Sequence, residues 1–389
     1  MLKRISDFMK RLVHKVSEAA ELILPSQIRF PTLMKTYLPW IMKHPGFIPT
    51  FGRLIKSYAQ SSRIRKLELK RGLKAPPVLI ISITSKCNLQ CVGCYAAATG
   101  TVCKPAAKRS LDIEQWRKII QEAKELGVFG FVIAGGEPFL MHDLLKLSEE
   151  FKDRLFIIFT NGTLLRDQEF RRLKRVRNTV VVVSIEGDQE MTNTRRGSGV
   201  YKSAINTIQK LSSNGIISGI SATITRKNLS YWLDEKNIDD LIAKGIHLGF
   251  LLEYIPVEND TKLMLTEKEN KEFRRAVLNY RETKQIFLIH SPGDEEYMGG
   301  CVSAGRGFAH VTPSGDLTPC PVSNIATHNL TRSSLREALK SPLFKVIREN
   351  EHLLETEGVP CALFTHPEEV EVLAKEVCAY KTSGDSWYS

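Results

Sequence analysis

Nowhere in the chain do about 18 apolar residues run without interruption, the length a membrane-spanning helix needs, so no such span is expected. The start of the chain lacks a continuous hydrophobic region as well. Lys3, Arg4, Asp7, Lys10, Arg11 and Lys15 are scattered among its apolar side chains, which excludes a secretory signal peptide. There is no repeat of solenoid period and no low-complexity tract. Cysteine is scarce, with eight in 389 residues, and an intracellular chain of this length does not use them as a disulfide framework. The composition, 25% charged and 42% hydrophobic, excludes collagenous, coiled-coil and wholly disordered classes. A cytoplasmic protein of two or three units is expected.

The net charge of +12 has one source. Residues 1–75 hold 16 Lys and Arg against 4 Asp and Glu, while the remaining residues hold 39 of each sign. An anionic partner would therefore meet the N-terminal segment. Within it, residues 1–24 read as an amphipathic helix, with Leu2, Ile5, Phe8, Met9, Leu12, Val13 and Val16 on one stripe and basic residues on the flanks. Residues 28–75 are broken by Pro31, Pro39, Pro45 and Pro49, carry several aromatics and end in a basic run from Arg63 to Lys74.

Pro76-Pro77 marks a boundary, after which strands and helices alternate. Strands are expected at 78–83, 128–134, 155–159, 180–185, 217–224 and 246–252, and a closing helix from Thr266 to Arg281. Runs such as Val180-Val181-Val182-Val183 suit a parallel sheet covered on both faces. Six such units curl into a partial (β/α)6 TIM-like barrel, an α/β fold. Three domains are expected: the basic extension 1–75, the barrel 76–285, and a small module 286–389 rich in Gly, Pro and Cys.

Directly after the first strand stands Cys87-Asn-Leu-Gln-Cys91-Val-Gly-Cys94-Tyr95. Three thiolates on one loop can hold three irons of a [4Fe–4S] cubane and leave the fourth open to an outside ligand. Buried free thiols, or zinc with a fourth ligand elsewhere, are the alternatives. Gly135-Gly136-Glu137-Pro138 follows the second strand, where glycines let the backbone approach a ligand and the carboxylate can accept from an amino group.

From these motifs the sequence resembles the radical SAM superfamily, although Gly93 stands where the family often has an aromatic and Tyr95 follows the last cysteine instead. The resemblance covers residues 78 to about 380 and implies that the open iron binds S-adenosylmethionine. Reductive cleavage then gives methionine and a 5′-deoxyadenosyl radical, which abstracts hydrogen from an unactivated carbon. It also implies that Gly135, Gly136, Glu137, Pro138, Asn161, Ser184 and Arg196 bind that cofactor, Asn161 ending strand three and Ser184 strand four. Relatives often read Ser-Ile-Asp-Gly where this chain has Ser184-Ile185-Glu186-Gly187. A flavodoxin- or ferredoxin-type reductant is implied as electron donor.

In the tail, Cys301, Gly315 and Cys320 look like the opening of SPASM and Twitch auxiliary-cluster domains, with a hairpin turning at Pro313 to Asp316 to bring the two thiols together. The later compact cysteine block of full SPASM domains is missing. With Cys361 and Cys378, four ligands suit one auxiliary [4Fe–4S] cluster, zinc being the alternative. Cys103 reads as a packed or idle thiol.

The basic, amphipathic N-terminal segment suits an anionic membrane surface. The favoured substrate is accordingly a membrane lipid or lipid-linked molecule, with the protein peripheral on the inner face of the membrane. A maturase acting on a ribosomally made peptide is the alternative. A non-enzyme reading, an iron–sulfur electron carrier or sensor, is separated from both by cofactor cleavage under a strong reductant.

Overall fold

Val78–Ser82 (β1) opens a sheet whose strands follow one another in space as they do in sequence. The computed structural model describes Thr36 and residues 40–102, 110–257 and 260–382; the amphipathic helix expected at 1–24 and Cys103 lie outside these. After β1 come Gly130–Ala134 (β2), Leu155–Thr160 (β3), Thr179–Ser184 (β4), Ser218–Ile224 (β5) and Leu248–Glu253 (β6), each parallel to its neighbour. Each lies within two residues of its expected start.

Two further strands join where a separate tail was expected. Phe287–Ser291 (β7) pairs parallel with β6, and Phe308–Val311 (β8) pairs parallel with the free side of β1. Leu317–Thr318 (β9) folds back antiparallel on β8, so the nine-stranded sheet ends at β7 and β9 and does not close. The hairpin turn is where the sequence puts it, between Thr312 and Asp316, with Gly315 at φ +92°.

Alternation along each strand makes two apolar layers. Leu79, Ile81, Phe131, Val181 and Val183 face the helices, joined by the fully buried Trp116 and Phe273. Val180, Val182, Leu248 and Phe287 line the concave face with the partly exposed Phe159 and Phe250. The closing helix runs Glu267–Thr283, capped by the Thr266 side chain and Glu269 in a reciprocal box.

The described part of the N-terminal segment differs from its sequence reading. Ile48–Lys70 is one 23-residue helix, because Pro49 falls in its first turn, where no backbone N–H is needed. This helix lies along the N-terminal ends of the strands. Arg154, just before β3, bonds Ser57, and a Cβ on Gly127, just before β2, would sit 2.6 Å from Ser61 O. Glu68, 4% exposed, binds both Arg71 and Arg336 of the C-terminal region. No described helix is long and apolar enough to cross a membrane.

β8 is locked to β1 by a buried histidine. His310 Nε2 lies 2.8 Å from Ser82 Oγ and Nδ1 2.7 Å from Thr318 Oγ1, and burial lowers its pKa to about 3. The unfolded imidazole titrates near 6.5. Native stability is therefore lost as pH falls below that value, by about 1.4 kcal/mol per pH unit until the folded pKa is reached. Urea midpoints at neutral pH and at roughly pH 5 should converge in His310→Gln relative to the parent; an equal pH slope in both would count against this assignment.

Candidate functional site

The C-terminal ends of the parallel strands gather the residues singled out by sequence. Cys87, Cys91 and Cys94 lie on the loop after β1, all half-buried, with Cys94 capping the short helix Tyr95–Ala98. The Leu89 N–H donates to Cys87 Sγ at 3.5 Å. Burial pushes the Cys87 thiol up, and its charged neighbours include Glu137, Cys91 and Cys94. Burial also pushes Cys91 up, opposed by Arg196 and Arg195. At Gly93, φ +63°, a Cβ would stand 3.3 Å from the ring of the buried Tyr254. The aromatic contact beside the last cysteine thus comes from the residue after β6.

The Gly135–Pro138 turn packs directly on the cysteine loop. Gly136 N donates to Thr84 O and Glu137 N to Lys86 O, both at 2.8 Å, and a Cβ on Gly136 would fall 1.9 Å from Lys86 O. Only glycine allows that approach. The Glu137 carboxylate is turned inward rather than offered at an exposed edge. It is 1% exposed and accepts from Thr160 Oγ1 at 2.6 Å, Asn161 N at 2.8 Å and Phe139 N at 3.1 Å. Burial pushes its pKa up while these three donors pull it down. The half-exposed glycine backbone is the part of this motif a ligand can reach.

Asn161 carries the contact from β3 back to the first cysteine. Its Nδ2 donates to Asn88 Oδ1 at 2.9 Å, and Asn88 Nδ2 donates to Thr163 Oγ1 at 2.9 Å. Asn88 and Thr163 carried no sequence signal beyond their place beside a motif. Ser184, at the end of β4, has its Oγ 3.0 Å from that of Ser221 in the middle of β5.

Glu186, which stands where the family resemblance led to an expected aspartate, holds two arginines. Its Oε1 accepts from Arg195 at 2.6 Å and from Arg196 Nε at 2.7 Å, and its Oε2 from Thr223 N at 3.1 Å. Arg195 in turn supports the cysteine loop: its carbonyl accepts from Val92 N at 2.9 Å and its guanidinium reaches Gly93 O at 3.3 Å. The Arg196 charge is felt at both Cys91 and Glu137, whose pKa values it lowers.

A second thiol group forms around the β8–β9 hairpin. Cys301, Cys320 and Cys361 lie within electrostatic reach of one another, and backbone N–H groups favour the charge on each sulfur: that of Ser303 at Cys301, those of Val322 and Ser323 at Cys320, and those of Leu363 and Phe364 at Cys361. Burial pushes Cys301 up to about 12, Cys361 to about 11 and Cys320 well above the ordinary thiol range. Unpaired, they are neutral thiols; sulfurs so supplied with donors suit iron-bound thiolates. Cys378, grouped with them by sequence, is exposed at φ +54° and is not among the charges that shift the other three. Tyr95 joins the two thiol groups, since Cys94 and Cys320 both act on its phenol, which burial pushes far up.

No three His, Cys, Asp or Glu side chains among the described residues converge on a single ion position. A structural zinc needs such convergence, whereas in a cubane each thiolate binds its own iron. The donor sets fit iron–sulfur clusters.

Residues 81–251 match the radical SAM superfamily. The chain is 31% identical over 308 residues to the mycofactocin maturase MftC of Mycobacterium tuberculosis, covering 72% of this chain and 75% of that protein. It is 24% identical over 307 residues to the AdoMet-dependent heme synthase of Methanosarcina barkeri, covering 72% of this chain and 86% of the synthase. The first curated relatives are spanned to between 38% and 86% of their length. In fold it is similar to Streptococcus suis SuiB, with a TM-score of 0.61 at 21% identity over 75% of this chain and 72% of SuiB. A match that takes in three quarters of a maturase, on an open parallel sheet with a three-cysteine loop after its first strand, makes this chain a member of the radical SAM superfamily: an enzyme of S-adenosylmethionine and [4Fe–4S] chemistry with a SPASM/Twitch-like C-terminal module.

Proposed function

We propose that this radical SAM enzyme modifies a peptide. The observation that carries the reading is the 31% identity to MftC, a maturase, over most of both chains. SuiB, which shares the fold, has also been solved with its precursor peptide SuiA bound. In this reading residues 76–285 are the catalytic barrel, 286–389 the auxiliary-cluster module and 1–75 an extension whose described part packs on the barrel.

Cys87, Cys91 and Cys94 would hold the catalytic cluster, and Cys301, Cys320 and Cys361 the auxiliary one. The chemistry a cluster held there would supply is the one-electron reduction of S-adenosylmethionine, which would yield methionine and a 5′-deoxyadenosyl radical able to take hydrogen from an unactivated carbon. The protein's part is positioning. Asn161 and Arg195 brace the cysteine loop at Asn88 and at Gly93. The Gly135–Pro138 backbone lies beside that loop, and Ser184 stands at the end of β4. Arg196 spends two of its N–H groups on Glu186 and keeps others for the carboxylate of the cofactor. Partly exposed Phe159 and Phe250 on the concave face suit an apolar substrate side chain.

A heme precursor is the second reading, favoured by the long match to the heme synthase. The lipid expected from the basic N-terminal segment has no counterpart in these relatives. A reductant of flavodoxin or ferredoxin type belongs to the proposal as the electron source. Anaerobic assays with a reductant, S-adenosylmethionine and either a panel of ribosomal precursor peptides, a porphyrin precursor of heme or anionic lipid vesicles separate the readings. A peptide should raise 5′-deoxyadenosine formation above the substrate-free rate and itself change mass. Stimulation by porphyrin or lipid with none by peptides would overturn the peptide reading.

A further inference from the structure

The three inward thiols of the C-terminal module have an acidic neighbour that is not a cysteine. Glu295 opens the single turn Glu295–Met298 that follows β7. Its Oε1 accepts from Ser291 Oγ at 2.7 Å and its Oε2 from the N–H of Val302, the residue after Cys301, at 3.2 Å. Both Cys301 and Cys361 lie within electrostatic reach of the carboxylate. The backbone is built for this approach. Gly300, at φ +90°, donates to Glu295 O at 3.0 Å, and Cys301 N donates to Leu354 O at 2.6 Å. A Cβ on Gly300 would sit 2.1 Å from Leu354 O, so glycine lets the loop close against the segment leading to Cys361.

Glu295 and Cys301, on one loop, thus stand near Cys361, which in turn acts on Cys320, while Cys378 stands exposed elsewhere. Carboxylate is an established iron ligand chemistry beside thiolate and imidazole. We propose that Glu295, not Cys378, completes the ligand set of the auxiliary cluster with Cys301, Cys320 and Cys361. The inference rests on the assignment of a cluster to this module.

The test uses full-length protein with Cys87, Cys91 and Cys94 all changed to alanine, so that the remaining iron reports the auxiliary site alone. Iron content, EPR and Mössbauer spectra are read on anaerobically reconstituted protein. Cys378→Ala should keep all of this iron and an unaltered spectrum. Glu295→Gln should lose at least one of about four irons and show a three-iron signature or an empty site. Glu295→Asp or Glu295→Cys should restore the fourth iron, which a variant that merely fails to fold would not do. The inference is overturned if Cys378→Ala strips the iron, if Glu295→Gln leaves iron and spectra unchanged, or if neither replacement ligand restores it. An iron-free but folded background protein overturns the auxiliary cluster itself, a failure distinct from retained iron that ignores Glu295.

Discussion

Alanine at Cys87, Cys91 and Cys94 together should abolish 5′-deoxyadenosine formation while leaving about four iron atoms per chain, those of the auxiliary cubane. The three thiols share one loop and sense one another, and no other cysteine among the described residues lies on that loop. The second thiol group has its own donors from Ser303, Val322, Ser323, Leu363 and Phe364, none of which the substitution touches. Chromatography of the nucleoside product and iron analysis on the same preparation check both halves. Residual 5′-deoxyadenosine near the parent rate would remove the loop from catalysis. The converse pair, Cys301→Ala or Cys320→Ala, should lower iron and product yet spare some substrate-free cofactor cleavage, because the loop after β1 is intact.

Glu186→Gln should be the most damaging single change outside the cysteines. The carboxylate is 2% exposed, its partners Arg195 and Arg196 are 19% and 11% exposed, and removing its charge leaves two guanidinium groups desolvated beside Cys91. Breaking a buried pair from one side costs about 3–5 kcal/mol. At about 2 °C per kcal/mol for a chain of this size, the thermal midpoint should fall by roughly 6–10 °C. Iron in the first site should fall as well, because Arg195 holds both Val92 and Gly93 of the cysteine loop. Glu186→Asp should lie between, since the shorter acid cannot hold both arginines and the Thr223 N–H together. Calorimetry and iron analysis under anaerobic conditions test this; a variant with the parent midpoint and full iron would show that the clamp is dispensable.

Much of the site was legible because its signals are local. The spacing of Cys87, Cys91 and Cys94 lies within one loop, and the Gly135–Pro138 turn directly follows a strand. The roles within it were less legible. Glu137 was read as an acceptor for a ligand, yet its oxygens are taken up by Thr160, Asn161 and Phe139. The extra methylene at Glu186 had no stated use until two arginines were found on it. Four cysteines in the tail were counted as one ligand set, but exposure divides Cys378 from the rest. The basic charge of residues 1–75 suggested a membrane surface, whereas its described helix spends Ser57 and Glu68 on contacts with the barrel floor and the C-terminal region.

By itself the sequence determined the six strands from Val78 to Glu253, the hairpin at Pro313–Asp316 and the three-cysteine loop, since each depends on alternation or spacing within a few residues. Only the tertiary structure decided that β8 completes the sheet beside β1, that Asn161 reaches Asn88 across 73 positions, and that Glu68 meets Arg336 across 268. Those pairings follow from how the layers close over their apolar faces, and local periodicity carries no record of which distant polar groups that closure leaves facing one another.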